Sequence, residues 1–125
     1  YNNKNEFLFQ LRDNKPGIFS PNMWSIFGGV MEGGESPEEA IKREIKEEIG
    51  YELREFKLFR TYDWKWFTAN TFEGKIDIPI SQIRKQLKEG QDAKFFSKEG
   101  ILKIKLAFKY NEAFRDYFKV KEKET

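Results

Sequence analysis

Residues 29 to 51 read Gly29-Val-Met-Glu32-Gly-Gly-Glu35-Ser36-Pro37-Glu-Glu39-Ala-Ile41-Lys-Arg43-Glu44-Ile45-Lys-Glu47-Glu48-Ile49-Gly50-Tyr51. The centre of this stretch carries both end signals of a helix. Ser36 suits the N-cap, where its hydroxyl can accept an orphan backbone N–H. Pro37 suits the first helical position, where a missing N–H costs nothing. Glu39 completes a Ser-x-x-Glu capping box. Ile41, Ile45 and Ile49 recur every four residues and form one apolar stripe. Gly50 stands where a left-handed C-terminal residue is wanted. The spacing predicts a helix over Pro37–Ile49.

At 100° per residue, with Glu44 at zero, Glu47 lies at about −60° and Glu48 at about +40°. The three carboxylates share an arc of roughly 100° beside the isoleucine stripe. Like charges so close destabilise a bare helix, and a divalent cation among them turns each oxygen into a ligand. Arg43, one turn before Glu47, can pair with Glu47 or with Glu35. Its planar fork would hold a carboxylate in one orientation. Gly28, Gly29, Gly33 and Gly34 lack a Cβ, so backbone groups there can approach a metal or a phosphate. Hydrolysis of a phosphoanhydride needs charge neutralisation on the diphosphate and a deprotonated water in line with the leaving group. Clustered Mg²⁺ ions and a nearby carboxylate supply both.

Composition narrows the chemistry further. The 125 residues suit one domain with a modest core, and at 17% aromatic content Phe, Trp and Tyr must carry much of the packing. Cys and His are both absent. That removes disulfides, thiol nucleophiles, imidazole bases and Cys/His zinc sites together, and leaves oxygen ligands, which favour Mg²⁺ or Mn²⁺. A net charge of +2 gives no large basic field, so no nucleic-acid polymer is expected as a partner. No apolar run approaches the twenty residues of a membrane span. The lack of Cys fits a cytoplasmic location. Oligomeric state stays open, a homodimer included.

Around the central helix the pattern alternates strand and turn. Glu6–Leu11 reads as a strand, Arg12–Met23 as a loop with Pro16, Gly17 and Pro21, and Trp24–Phe27 as a short strand. Phe56–Trp64 and Lys65–Phe72 read as two aromatic-rich strands and Glu73-Gly74 as a turn. Lys75–Ile80 reads as a further short strand, Ser81–Lys88 as a short helix or turn, and Ala93–Phe96 as a strand. Ser97-Lys-Glu-Gly begins a turn or 3₁₀ piece. Lys109–Lys119 reads as a C-terminal helix, and the charged tail from residue 120 to 125 as frayed.

The run from Gly29 to Tyr51 resembles the box of the Nudix hydrolases: Gly, five residues, Glu35, seven residues, then Arg43-Glu44-apolar-any-Glu47-Glu48-any-Gly50-apolar. Trp24-Ser-Ile-Phe27-Gly-Gly is similar to the family's aromatic lead-in, with Phe27 where Pro is common. Tyr51 stands where an aliphatic residue is usual. Downstream, Glu89-Gly90-Gln91 followed by Phe95-Phe96 resembles a segment of MutT-type pyrophosphohydrolases in which the Glu faces the metals. The resemblance implies one α/β domain over 1–125, an α/β/α sandwich with a mixed sheet between the box helix and the C-terminal helix. A strand before Glu6 is usual in the family, and only Tyr1–Asn5 precede it here. The resemblance further implies the Gly28 carbonyl, Glu44, Glu47, Glu48 and Glu89 as metal ligands, Glu48 foremost. Glu44, Glu47, Glu48, Glu89 and Arg43 become the catalytic candidates, and Glu35, Gly29 and Gly50 the supporting ones. Trp24, Phe27 and Arg12 are candidates for holding substrate; Trp64, Trp66 and Phe67 are further aromatics near the expected cleft. The implied activity is Mg²⁺- or Mn²⁺-dependent cleavage of a (deoxy)nucleoside triphosphate, or alternatively of ADP-ribose or a nucleotide sugar, with a non-catalytic nucleotide-binding module as a third option.

Overall fold

Helix α1 spans Pro37–Ile49 with the ends its sequence specifies. Ser36 accepts from the Glu39 backbone N–H and the Glu39 side chain accepts from Ser36, closing the capping box, while Gly50 caps the other end at φ 67°. The isoleucine stripe turns inward, with Ile49 fully buried. The computed structural model describes residues 1–28, 31–65 and 67–124. Gly29 and Trp66, both singled out from the sequence, lie outside the described residues.

Strand β1 (Phe7–Leu11) is the middle of a three-stranded antiparallel sheet, flanked by β2 (Trp24–Ser25) and β5 (Asp92–Phe96). In its register, Phe7 faces Phe96 and Leu11 faces Asp92 on β5, and Gln10 faces Ser25 on β2. Side chains alternate across a strand, so each face of this sheet gathers its own apolar cluster. On one face Leu8, Ala93 and Phe95 meet Ile45 and Ile49 of α1 and Ile83 of α2 (Ile80–Gln86). On the other, Phe9 and Phe96 meet Ile101 of α3 (Lys98–Lys103) and Phe118 of α4 (Tyr110–Lys123). Phe7 stands edge-on to Phe114, Tyr117 and Phe118 of α4, each at 5.7 Å. Each fully buried large apolar side chain contributes about 1.5–3 kcal/mol. This is the expected α/β/α layering.

The sheet differs in detail from one mixed sheet. Strands β3 (Phe56–Trp64) and β4 (Phe67–Gly74) form a separate antiparallel hairpin, and the described strand pairings are all antiparallel. This hairpin is tied to α4 by polar side chains. Tyr62 donates to Asp116 at 2.7 Å, and Lys121 lies 3.0 Å from Glu73.

Four local expectations are corrected. Glu73-Gly74 ends β4 instead of turning, the two residues pairing with Lys57 and Phe56 of β3. Lys75–Ile80 forms no strand; Ile76 is buried and Ile80 already opens α2. Ser97 starts a helix, its hydroxyl accepting from the Gly100 N–H at 3.1 Å. Instead of fraying from residue 120, α4 runs to Lys123. No helix among the described residues is long and apolar enough to cross a membrane.

Candidate active site

The acidic face of α1 is organised by one cation. Arg43 donates from Nε and Nη2 to the two oxygens of Glu35, at 2.7 and 3.0 Å. Its Nη1 reaches Glu44 at 2.8 Å and Glu47 at 3.2 Å, and Glu32 lies 3.5 Å away. The sequence left Arg43 to choose between Glu35 and Glu47; it takes both. Glu35 also accepts the Glu32 backbone N–H at 2.8 Å. The bond from Arg43, helped by that N–H, holds the Glu35 carboxyl below the usual carboxylate range. Glu32, the remaining acid of this group, escaped the sequence reading because no helical spacing links it to Arg43.

Glu48 is on the same helix and in the opposite situation. It is 8% exposed, and its Oε2 is buried with no hydrogen-bond partner among the described residues. Burial raises its pKa first, and the charges of Glu89, Glu44 and Glu47 raise it further; a backbone N–H from Glu89 offsets this in part. A buried carboxylate oxygen without a donor costs free energy, and a cation is the partner its surroundings lack. The structure therefore brings Glu89 to Glu48, two positions 41 residues apart in sequence.

Two glycines lie near that meeting in the chain. Gly90, at φ 85°, lies so close to β1 that a Cβ would stand 2.8 Å from the Leu11 carbonyl. Gly50 has the Gln86 side-chain amide packed where its Cβ would be. Gln91 then locks the loop, its backbone N–H donating to Leu11 and its side chain to the Arg12 carbonyl and to Asn22.

The other candidates divide. Glu44 is 14% exposed and Glu47 is 59% exposed at the side chain, both on Arg43. Among the described residues no three acidic side chains stand ready-made as a metal cage, since Arg43 draws Glu44 and Glu47 to itself. The donor set is nonetheless all oxygen and carries the orphaned Glu48 atom, so the residues fit a hard divalent ion. Gly28 is exposed with open space where a Cβ would stand, so no close approach there requires glycine. Phe27, 7% exposed, belongs to the core beside α1, which corrects its assignment to substrate. Trp24 is partly exposed, and its indole packs edge-on against Phe96 at 5.0 Å. Trp64 is buried between Tyr62, Phe67 and Tyr110. Arg12 donates to the Phe19 carbonyl and lies over the Phe108 ring at 4.9 Å, with its own carbonyl on Gln91.

Comparison with known proteins decides the family. The NUDIX domain profile matches residues 1–117. The chain belongs to the NUDIX family. NAD-capped RNA hydrolase NudC of Vibrio vulnificus is 27% identical over 79 residues, covering 63% of this chain and 30% of that protein. Nucleoside triphosphatase NudI of Salmonella arizonae is 48% identical over 46 residues, covering 37% of this chain and 31% of that protein. The chain thus spans less than a third of the length of these curated relatives. A mutT/nudix family protein from Listeria innocua superposes with a TM-score of 0.75 at 19% identity, covering 95% of this chain and 82% of that one. At that identity the likeness establishes the fold of this NUDIX domain.

Proposed function

We propose that this NUDIX domain is a divalent-cation-dependent pyrophosphohydrolase. It cleaves a phosphoanhydride in a nucleoside diphosphate carrying a further group, and a (deoxy)nucleoside triphosphate is the first substrate to test. The observation that supports this most is Glu48, a buried carboxylate whose nearest charged company is three more carboxylates. A purely structural helix has no use for that arrangement, whereas a cation and a polyphosphate need it. Members of the family generally use divalent metal ions. Glu48, Glu44, Glu47, Glu89 and the Gly28 carbonyl would hold Mg²⁺ or Mn²⁺, which when bound neutralises charge on the diphosphate. Arg43 fixes Glu35 and orients Glu44 and Glu47. Glu89, exposed beside Glu48, is our candidate to take the proton of the attacking water.

The 46 residues that match a protein named a nucleoside triphosphatase put triphosphates first. The longer match to a protein named an NAD-capped RNA hydrolase supports a second reading, a dinucleotide-type pyrophosphate such as ADP-ribose or the NAD linkage. A panel of (d)NTPs, ADP-ribose, NAD and nucleotide sugars, each with Mg²⁺ or Mn²⁺, separates the two by their products: pyrophosphate plus monophosphate, or two monophosphates. Folded protein that turns over no member of the panel would overturn both.

A further inference from the structure

The total charge of +2, too small by itself to suggest a nucleic-acid partner, is unevenly spread. Between Gly100 and Asn111 the chain carries Lys103, Lys105 and Lys109 and no acid. Between Arg12 and Met23 it carries Arg12, Lys15 and a single acid, Asp13. The two segments hold five cations against one acid, a net +4, which leaves −2 for the rest of the chain. Lys15, Lys103, Lys105 and Lys109 are exposed. Among the described residues, the three lysines of the second segment have no carboxylate in ion-pair reach, and Lys15 has only Asp13 at 3.7 Å.

Hydrogen bonds hold the two segments against one another. The Arg12 N–H donates to the Met23 carbonyl at 2.9 Å and the Asn22 N–H to the Asp13 carbonyl at 3.1 Å, which ties the ends of the first loop. The Phe108 N–H donates to the Ser20 hydroxyl at 3.3 Å and the Ala107 N–H to the Trp24 carbonyl at 2.8 Å, while Arg12 covers the Phe108 ring. Four non-glycine residues among those described have positive φ, and three stand here: Ser20 at 48°, Asn22 at 57° and Phe108 at 55°. For a ring as bulky as Phe108 that backbone is strained, and such strain collects at ligand clamps. Within the first loop Phe19 is 75% exposed, while its carbonyl accepts from Arg12 Nε at 3.1 Å. A lone exposed apolar side chain is ordinary. An exposed ring on a tied loop, in a rim of five cations, is a stacking platform already in place. The rim also adjoins the acidic site. Gln91, two residues after Glu89, donates from its side chain to the Arg12 carbonyl and to Asn22.

We propose that this rim holds a single-stranded oligonucleotide, the further group joined to the pyrophosphate at the acidic site. The pyrophosphate half rests on the hydrolase reading above; the strand half rests on the rim alone. Phosphates of the strand pair with Lys103, Lys105 and Lys109, and a base stacks on Phe19. Continuity with the acidic site favours a strand over a lipid surface, because a strand brings its own 5′ pyrophosphate to that site and a membrane has no group to place there.

The probe for the rim is a 5′-hydroxyl RNA octamer labelled at its 3′ end. It lacks a pyrophosphate, and fluorescence anisotropy in EDTA reads its binding without turnover. Three lysine–phosphate contacts give a log–log salt slope of about −2, so binding should be about 20-fold weaker at 200 than at 50 mM salt. Phe19→Ala should weaken it at least about fivefold, and Lys105→Ala with Lys109→Ala should flatten the slope by about 1.4. Lys119→Ala with Lys123→Ala, exposed on α4, should do neither. With Mg²⁺, a 5′-triphosphorylated octamer should have a KM at least about tenfold below that of a mononucleotide triphosphate. Phe19→Ala should erase that advantage and leave kcat unchanged. Turnover of mononucleotides without octamer binding overturns the inference and leaves the hydrolase reading standing. Rim-dependent octamer binding without turnover of any substrate keeps the strand site and overturns the hydrolase reading. Octamer binding that ignores Phe19→Ala, or that inorganic polyphosphate or anionic lipid vesicles match, overturns the inference as well.

Discussion

Two glutamates, the buried Glu48 on α1 and the largely buried Glu73 on β4, face opposite fates. Burial pushes both carboxyls up. At Glu73 that push is overcome by hydrogen bonds from Lys121, Tyr117 and Lys57, and its pKa falls below the ordinary value. At Glu48 the neighbouring charges are Glu89, Glu44 and Glu47, and its pKa rises. Both have an Oε2 without a hydrogen bond of good angle, but the Glu73 oxygen has the Lys121 ammonium 3.0 Å away. One carboxylate is neutralised by its own chain and fastens β4 to α4. The other has carboxylates for charged neighbours, and on our proposal a bound cation neutralises it. Burial alone therefore does not single out a candidate acid; the sign of its neighbours separates the two.

This contrast breaks if Glu48→Gln behaves like a lost structural contact. We expect hydrolysis to fall about 10³-fold, the range for removing a directly engaged acid or base. The metal-free variant should be more stable than the parent by about 1 kcal/mol, since an amide keeps the acceptor for the Glu89 N–H and carries no charge to desolvate. Activity on the substrate panel and Tm without metal check both. Glu73→Ala should reverse the pattern, with about 2–3 kcal/mol lost in urea unfolding as Lys121 and Lys57 lose their shared partner. Turnover per folded molecule should hold.

A smaller effect is expected at Arg43. Replacing it with Ala frees Glu35, Glu44 and Glu47 from a common orientation and should weaken Mn²⁺ binding about 10–100-fold by paramagnetic titration. The pH dependence of Glu73 sharpens the comparison further. A carboxylate with a depressed folded-state pKa adds stability above its unfolded value and loses it as pH falls through the folded one. The stability gap between the parent and Glu73→Gln should thus persist at neutral pH and close in the acid range below the ordinary carboxylate pKa. The smallest expected change is Ser36→Ala, about 1 kcal/mol for a lost capping box, with activity retained.

Local chemistry was legible and pairing was not. Ser36, Pro37, Glu39, the three isoleucines and Gly50 all act within one helix, so α1 is found at the residues predicted. The strand ladder that joins or separates β1 and β4 depends on contacts some seventy residues apart, which no local period encodes. Ile76, Ile78 and Ile80 alternate like a strand, yet Ile80 begins α2 and Ile76 anchors against Tyr1. Phe27 shows why aromatics mislead: its ring is packed in the core beside Ile45 and Ile49. The Glu48–Glu89 meeting could be anticipated only through resemblance, because the chain returns to it by way of a hairpin and a second helix.

Gly50 has a reach beyond the end of α1. The Gln86 amide occupies the volume a side chain there would claim, and Glu89 follows Gln86 by three residues. A methyl at position 50 would meet only the tip of the Gln86 side chain, which can turn aside, so its cost falls on the left-handed backbone at φ 67° that closes α1. The stop signal of the helix that carries Glu44, Glu47 and Glu48 thus rests on a backbone angle that a residue without a side chain adopts freely.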